Sequence, residues 1–189
     1  MVPNALQSAD RLTQLAMKMK KGNRRAAAEL YDELLPKVYG FLFTRTGKKE
    51  IAEDLSQDIF VKLVQKVESF DEKRGRFTVW FWQMVRHVLV DYYREKKETP
   101  FSSFEDETVA SMAVADTVNI EERLRYGKLK EFLTTLATEE RELFELRYVA
   151  EMPYKEIAVL LAKSEGSLRV AALRVKEKIK KEFDHQAMM

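Results

Sequence analysis

Cysteine is absent from this chain of 189 residues. That excludes disulfides, thiolate catalysis and most zinc sites, and it fits a reducing cytoplasm. Imidazole is nearly absent too. His87 and His185 are the only histidines, so no metal site is expected and no cofactor is implied. Six glycines and four prolines are few, and hairpin dipeptides such as Asn-Gly are missing. No run of about 18 apolar residues occurs, so membrane insertion is not expected. The opening segment MVPNALQSADRLTQLAMKMKK lacks a basic region followed by an apolar core, and it is not read as a secretory signal. Gly-rich phosphate loops, nucleophile elbows and HExxH zinc motifs are lacking as well. Acidic pairs such as Glu139/Glu140 are common on helices and imply no catalysis.

What remains is a chain that is 46% hydrophobic and 34% charged, the balance of a soluble globular protein. Its length allows one domain or two small ones. Net charge is only +2, but the charges are segregated. Glu98 to Glu122 holds seven acidic residues and no Lys or Arg, whereas Ser164 to Lys181 holds six basic residues against two acidic ones. Such segregation suggests separate jobs along the chain.

Residues 24 to 97 read as successive helices. RRAAAELYDELLPKVYGFLFTRT carries Leu30, Leu34, Val38, Phe41 and Leu42 at helical spacing, with Pro36 expected to bend it. In GKKEIAEDLSQDIFVKLVQKVESF, Leu55, Ile59, Phe60, Leu63 and Val67 share one arc. Asp54, Gln57, Asp58, Val61, Lys62 and Gln65 share the other, which by itself reads as solvated surface. A polar turn, Asp71 to Arg76, follows. Residues 98 to 119 lack periodicity and read as a flexible acidic linker. A helical pattern resumes at TVNIEERLRYGKLKEFLTTL. Thr138 is expected to cap the next helix, with Glu139 and Glu140 in its first turn. Breaks at Ala150–Pro153 and at Ala162–Ser164 then frame a short helix and a long basic one, the spacing of a helix-turn-helix. The first 20 or so residues and the tail DHQAMM have no pattern beyond that of a disordered terminus.

Two stretches carry candidate chemistry. RFTVWFWQMVRHVLVDYYREKK holds both tryptophans. At about 100° per residue, Phe77, Phe81, Val85, Val88, Leu89 and Tyr92 form a core arc. Gln83, Arg86, His87 and Arg94 gather opposite, edged by Trp80 on one side and by Trp82 and Tyr93 on the other. The strip suits single-stranded nucleic acid, with cations on phosphates and rings on unpaired bases. It equally suits a core helix whose cationic end complements the helix dipole. On the last helix, Leu168, Ala172, Val175 and Ile179 form a narrow apolar face. Cations cover the rest, and Val170 and Leu173 point outward among them. Such a helix can enter a major groove, with an apolar residue against a thymine methyl, or it can close a bundle. A stand-alone helix-turn-helix regulator binding a palindrome as a dimer, and a helical hydrolase with clustered carboxylates, are the other classes the residues leave open.

Three motifs occur in order: AEDLSQDIFVKL (52 to 63), F-x-x-W-F-x-x-M-V-R-x-x-x-x-D-x-x-R (Phe77 to Arg94), and LRY-x-x-E-M-P-Y-K-E-I-A-x-L-L leading to SEGSLRV (146 to 170). Together they resemble the extracytoplasmic-function group of bacterial sigma-70-type sigma factors, over roughly residues 25 to 183. The resemblance implies an all-α chain of two small helical domains: a region 2-like bundle over 1–97, a linker over 98–119 and a region 4-like helix-turn-helix domain over 120–189. It implies a promoter-specificity subunit rather than an enzyme, acting in the cytoplasm. Its partners would be core RNA polymerase (the β′ clamp helices and the β subunit), promoter DNA and an anti-sigma factor. Asp54, Gln57, Asp58, Val61 and Lys62 map to polymerase binding. Arg74, Arg76, Trp80, Gln83, Arg86, His87 and Arg94 map to melting and capture of the −10 element. Ser164, Glu165, Ser167, Arg169, Val170, Leu173 and Arg174 map to the −35 element. The chain departs from the family pattern at four places. His87 stands where Asn is common, Ala162 at a usual turn glycine, Lys163 at an apolar position and Ala171 at a basic one. These positions bear on which promoter sequence is read.

Overall fold

In the computed structural model, residues 5–98, 131–133 and 135–186 are described. The linker and most of the TVNIEERLRYGKLKEFLTTL stretch lie outside them. Every regular element among the described residues is helical.

The first helix, α1 (Ala5–Lys20), is a correction to the expectation of a patternless terminus. Ala9, Leu12, Leu15 and Ala16 recur at steps of three and four, and all are buried. They dock the helix on the next ones, and burial of that stripe outweighs its middling length. Helix α2 (Arg24–Thr46) begins at Asn23, whose side chain accepts the Ala26 N–H at 3.0 Å. It runs through Pro36, so the proline does not end it. It stops at Gly47, which takes the left-handed φ of 72° and donates its N–H to the Phe43 carbonyl at 2.9 Å. Helix α3 (Lys49–Lys66) follows, then a 3₁₀ turn (Val67–Ser69), the polar loop, and α4 (Phe77–Glu98).

The second half contains α5 (Thr138–Phe144), a π-helical turn (Glu145–Val149), α6 (Tyr154–Leu161) and α7 (Glu165–Gln186). Ala137 takes the cap position of α5 without a side-chain bond, so Thr138 is its first residue and not its cap. Helices α6 and α7 form the expected helix-turn-helix. The turn forces Ala162 to φ 53°, ψ 41°, the left-handed region that glycine adopts at little cost. Ser164 then caps α7, its hydroxyl accepting the Ser167 N–H at 3.1 Å.

The two halves share one core. Leu30, Leu34 and Val38 of α2, Ile59 of α3 and Phe77, Phe81 and Val85 of α4 belong to the same buried cluster as Leu146, Met152, Ile157 and Leu168. Gly40 belongs to this junction: a Cβ there would stand 3.0 Å from Val149 Cγ1. A glycine inside a helix costs about 1 kcal/mol relative to alanine, and close approach of the second half is what it permits here.

Candidate nucleic-acid and polymerase interfaces

The polar arc of α3 faces outward. Asp54, Gln57 and Asp58 are exposed, Val61 is 54% exposed, and Lys62 is half-buried. None of the apolar arc is exposed: Leu55, Ile59, Phe60, Leu63 and Val67 are all buried. Beside the polar arc runs a groove of about 780 Å³ between α2 and α3. Tyr31, Leu35 and Tyr39 line one wall, and Phe60, Val61 and Val64 line the other. Tyr31 and Val64 were not singled out from the sequence. Their signal was available, since both are large apolar residues off the core stripe of their helices, and they are 45% and 63% exposed.

On α4, Gln83 and His87 are exposed, and Arg94 is exposed with Asp91 at 3.3 Å. Trp80 is half-buried, its ring 5.6 Å from that of Phe70 and 5.8 Å from that of Phe77. Packing on one side fixes the indole while its other edge borders the polar arc. Trp82 corrects the wheel. It is 1% exposed and meets Phe41 of α2 edge-to-face at 5.3 Å, so it belongs to the core and does not edge the strip. The reason is that α4 is covered on two sides, and a wheel drawn for one buried face cannot show the second. Tyr93 sits on the same side and donates its hydroxyl to the Arg45 carbonyl at 2.8 Å.

The arginines are divided. Arg74 is exposed beside Asp71, 3.7 Å away. Arg76 pairs with Asp10 at 2.5 Å and lies 3.5 Å from Glu156. Arg86 donates from Nε to Glu142 at 2.7 Å and from a terminal nitrogen to the Leu160 carbonyl at 3.4 Å. The carboxylates Glu142 and Glu156 both come from the second half. Glu156 is 2% exposed and accepts the Thr78 hydroxyl. Burial raises its pKa above the ordinary carboxylate range, the Thr78 hydrogen bond and the Arg76 charge pull it back down, and Asp10 adds to the rise. Glu145 is fully buried between Arg45, at 2.5 Å, and Arg141, at 3.0 Å. Two buried glutamates need such partners, because an unpaired buried charge is costly.

On α7, Ser164 and Ser167 are taken up by the helix cap, with the Ser167 hydroxyl donating to the Ser164 carbonyl at 2.8 Å. Glu165 holds Arg169 at 2.5 Å. Val170 and Leu173 are 52% and 58% exposed, and Arg174 is exposed beside them. A cluster missed in the sequence flanks this face. The Arg169 guanidinium lies over the Tyr154 ring at 4.9 Å, Arg147 over the same ring at 5.1 Å, and Lys176 over Tyr148 at 5.3 Å. Burial raises the Tyr154 pKa, and a hydrogen bond with Tyr148 adds to it. Tyr148 and Tyr154 lie six residues apart on different elements, so no single helical period could reveal their meeting.

Comparison with known proteins decides which family the chain belongs to. Residues 30–99 match the family model of Sigma-70 region 2, and residues 126–179 match that of Sigma-70, region 4. The chain belongs to the sigma-70 family. Among curated relatives, the ECF RNA polymerase sigma factor SigM of Bacillus subtilis is 29% identical over 159 residues, covering 80% of this chain and 91% of SigM. SigW of the same organism is 25% identical over 174 residues, covering 87% and 92%. The structure of CnrH in complex with the cytosolic domain of CnrY aligns with a TM-score of 0.67 at 22% identity, over 94% of this chain and 98% of CnrH. RpoE bound to the anti-sigma factor NepR from Bartonella quintana aligns with a TM-score of 0.63 at 19% identity, over 83% and 96%. The sigma factor falls in the extracytoplasmic-function group, as its three motifs imply, and directs RNA polymerase to promoters in transcription initiation. Among the described residues, no helix is long and apolar enough to cross a membrane.

Proposed function

We propose that this sigma factor is a promoter-specificity subunit of the cytoplasm with no catalysis of its own, its work divided among three surfaces. Residues 1–97 bind core polymerase and the −10 element, 98–119 connect, and 120–189 read the −35 element. The α3 arc of Asp54, Gln57, Asp58, Val61 and Lys62, with the apolar groove beside it, receives the β′ clamp helices. An apolar floor with a polar rim is the usual make-up of such an interface. The strip of Trp80, Gln83, Arg86, His87 and Arg94, with Arg74 and Arg76 of the preceding loop, takes the −10 strand through phosphate contacts and stacking. The exposed α7 residues Val170, Leu173, Arg169 and Arg174 read base edges in the −35 major groove, with Ser164, Glu165 and Ser167 forming the start of that helix. A further contact falls to the β subunit. An anti-sigma factor is the expected inhibitor, since a solved structure of this fold, RpoE with NepR, is a complex with an anti-sigma factor.

The observation that carries the reading is the presence of region 2 and region 4 matches in order on one chain. Run-off transcription with purified core polymerase tests it. Val61→Glu, at an exposed position, should weaken polymerase binding by about tenfold, near the loss expected for a core interface residue, with the circular dichroism unchanged. Trp80→Ala should bind polymerase normally yet lose permanganate reactivity at the −10 element. Failure of the wild-type protein to bind core polymerase removes the proposal.

A further inference from the structure

The turn between α1 and α2 carries more positive charge than its fold uses. Residues 18–25 read KMKKGNRR, five cations without one acid. Gly22 reverses the chain at φ 82°, and its N–H donates to the Met19 carbonyl at 2.8 Å. Lys20 is half-buried and donates to the Phe70 carbonyl at 2.9 Å. Arg25 lies 3.3 Å from Glu29. Lys18, Lys21 and Arg24 are exposed, and none of them meets a carboxylate among the described residues.

Stability does not account for this charge. Lys18 and Lys20 suit the last turn of α1, where the helix dipole favours cations. Arg24 and Arg25 open α2, whose first turn holds no acid, and there the dipole disfavours them. The five like charges also repel one another across the turn. Local rules broken without a return in packing are expected at functional sites.

The place of the turn in the fold indicates its ligand. Helix α1 lies along the Asp71–Arg76 loop from end to end. Asp10 pairs with Arg76 and Thr13 accepts the Phe77 N–H at 3.3 Å, while Lys20 holds Phe70 just before the loop. The Phe70 ring in turn packs on Trp80 at 5.6 Å. Lys73 and Arg74 are exposed on the loop itself. The cationic turn therefore continues the basic surface past the indole, and it lies outside residues 30–99, the region 2 match.

We propose that Lys18, Lys21 and Arg24 form a phosphate-binding site for the single-stranded DNA that flanks the −10 element, so that the strand held on α4 continues over the loop onto this turn. It rests on the assignment of α4 to the −10 strand. The Asn23 side chain among these cations is used to cap α2. Cations alone are left, and their phosphate contacts fix the path of a strand without reading its sequence.

Fluorescence anisotropy with the polymerase complex of this chain and labelled −10 oligonucleotides tests the site. One oligonucleotide stops at the element, and two others extend it by about six thymines on the 5′ or the 3′ side. At about 0.1 M salt the wild type should bind one extended form about tenfold more tightly than the short one. The triple variant Lys18→Gln, Lys21→Gln, Arg24→Gln should lose that gain and hold the short form as before. Its salt slope on the extended form should be shallower by about 2, at about 0.7 for each phosphate contact. The charge-keeping variant Lys18→Arg, Lys21→Arg, Arg24→Lys should restore both. In urea the Gln variant should be no less stable than the wild type, since it removes charge that the α2 dipole opposes. Unchanged gain and slope in the Gln variant overturn the proposal. So does a loss of polymerase binding with strand affinity kept, which would give the turn a protein partner. A wild-type preference for the −10 sequence without any gain from either flank defeats the proposal alone. Absence of any preference for the −10 sequence over a scrambled one defeats the α4 assignment, and the proposal with it.

Discussion

Single residues show where a helical wheel suffices and where it fails. Trp80 and Trp82 are two positions apart and both edge the polar arc on paper, yet Trp82 is 1% exposed against Phe41 and Trp80 is half-buried at the surface. Trp82→Ala should cost about 3–5 kcal/mol of stability, the range for emptying a buried aromatic site. Trp80→Ala should cost less than half of that and act mainly on promoter opening. Urea denaturation of both variants checks this, and equal losses would return Trp80 to the core. Ala162 offers a gain instead. At φ 53° its Cβ is strained, and the family's usual glycine removes that strain. Ala162→Gly should raise stability by about 0.5–1 kcal/mol after the entropic cost of glycine in the unfolded chain. A rise in melting temperature with unchanged unfolding cooperativity is the expected result.

At the scale of elements, most of the fold was readable. Helices α2 to α7 follow from apolar spacing, from Asn23 and Gly47 at the ends of α2 and from the breaks around Pro153 and Ala162. Helix α1 was missed because LQSADRLTQLAMKMK lacks a strong cap and carries its apolar stripe in small and flexible residues, which only the cradle of Leu30, Phe77 and their neighbours makes into a core face. The α3 arc and the outward Val170 and Leu173 were legible, since they are the complement of a single apolar stripe. The cluster of Tyr148, Tyr154, Arg147 and Lys176 was not, because it joins three elements through a π-helical turn. That cluster has a consequence for DNA. Arg169 is held between the Glu165 carboxylate and the Tyr154 ring, so under the −35 role proposed for α7 it is oriented before DNA arrives. Tyr154→Ala should weaken −35 duplex binding of the polymerase complex by about 0.5–2 kcal/mol, the range of a cation–π contact, whereas Tyr154→Phe should retain it. A loss in the Phe variant as large as in the Ala variant would assign the effect to the hydroxyl and its Tyr148 partner.

For the whole molecule, the junction between halves lay beyond sequence reasoning, because its pairs join residues up to 100 positions apart and each looks like an ordinary surface charge. Glu156 makes that junction sensitive to pH. Its carboxyl faces Thr78 of α4, Arg76 of the preceding loop and Asp10 of α1, and burial holds its pKa above the ordinary value of 4.5. In the unfolded chain it returns to that ordinary value. Below 4.5 both forms carry the proton and the packing has its full strength. Between 4.5 and the raised value the folded form binds more protons than the unfolded one. Rising pH therefore weakens the fold across that window. Denaturation midpoints should fall for the wild type as pH rises through the window, relative to Glu156→Gln, which cannot ionise. Parallel pH profiles for the two proteins would mean that Thr78 and Arg76 compensate the buried charge fully.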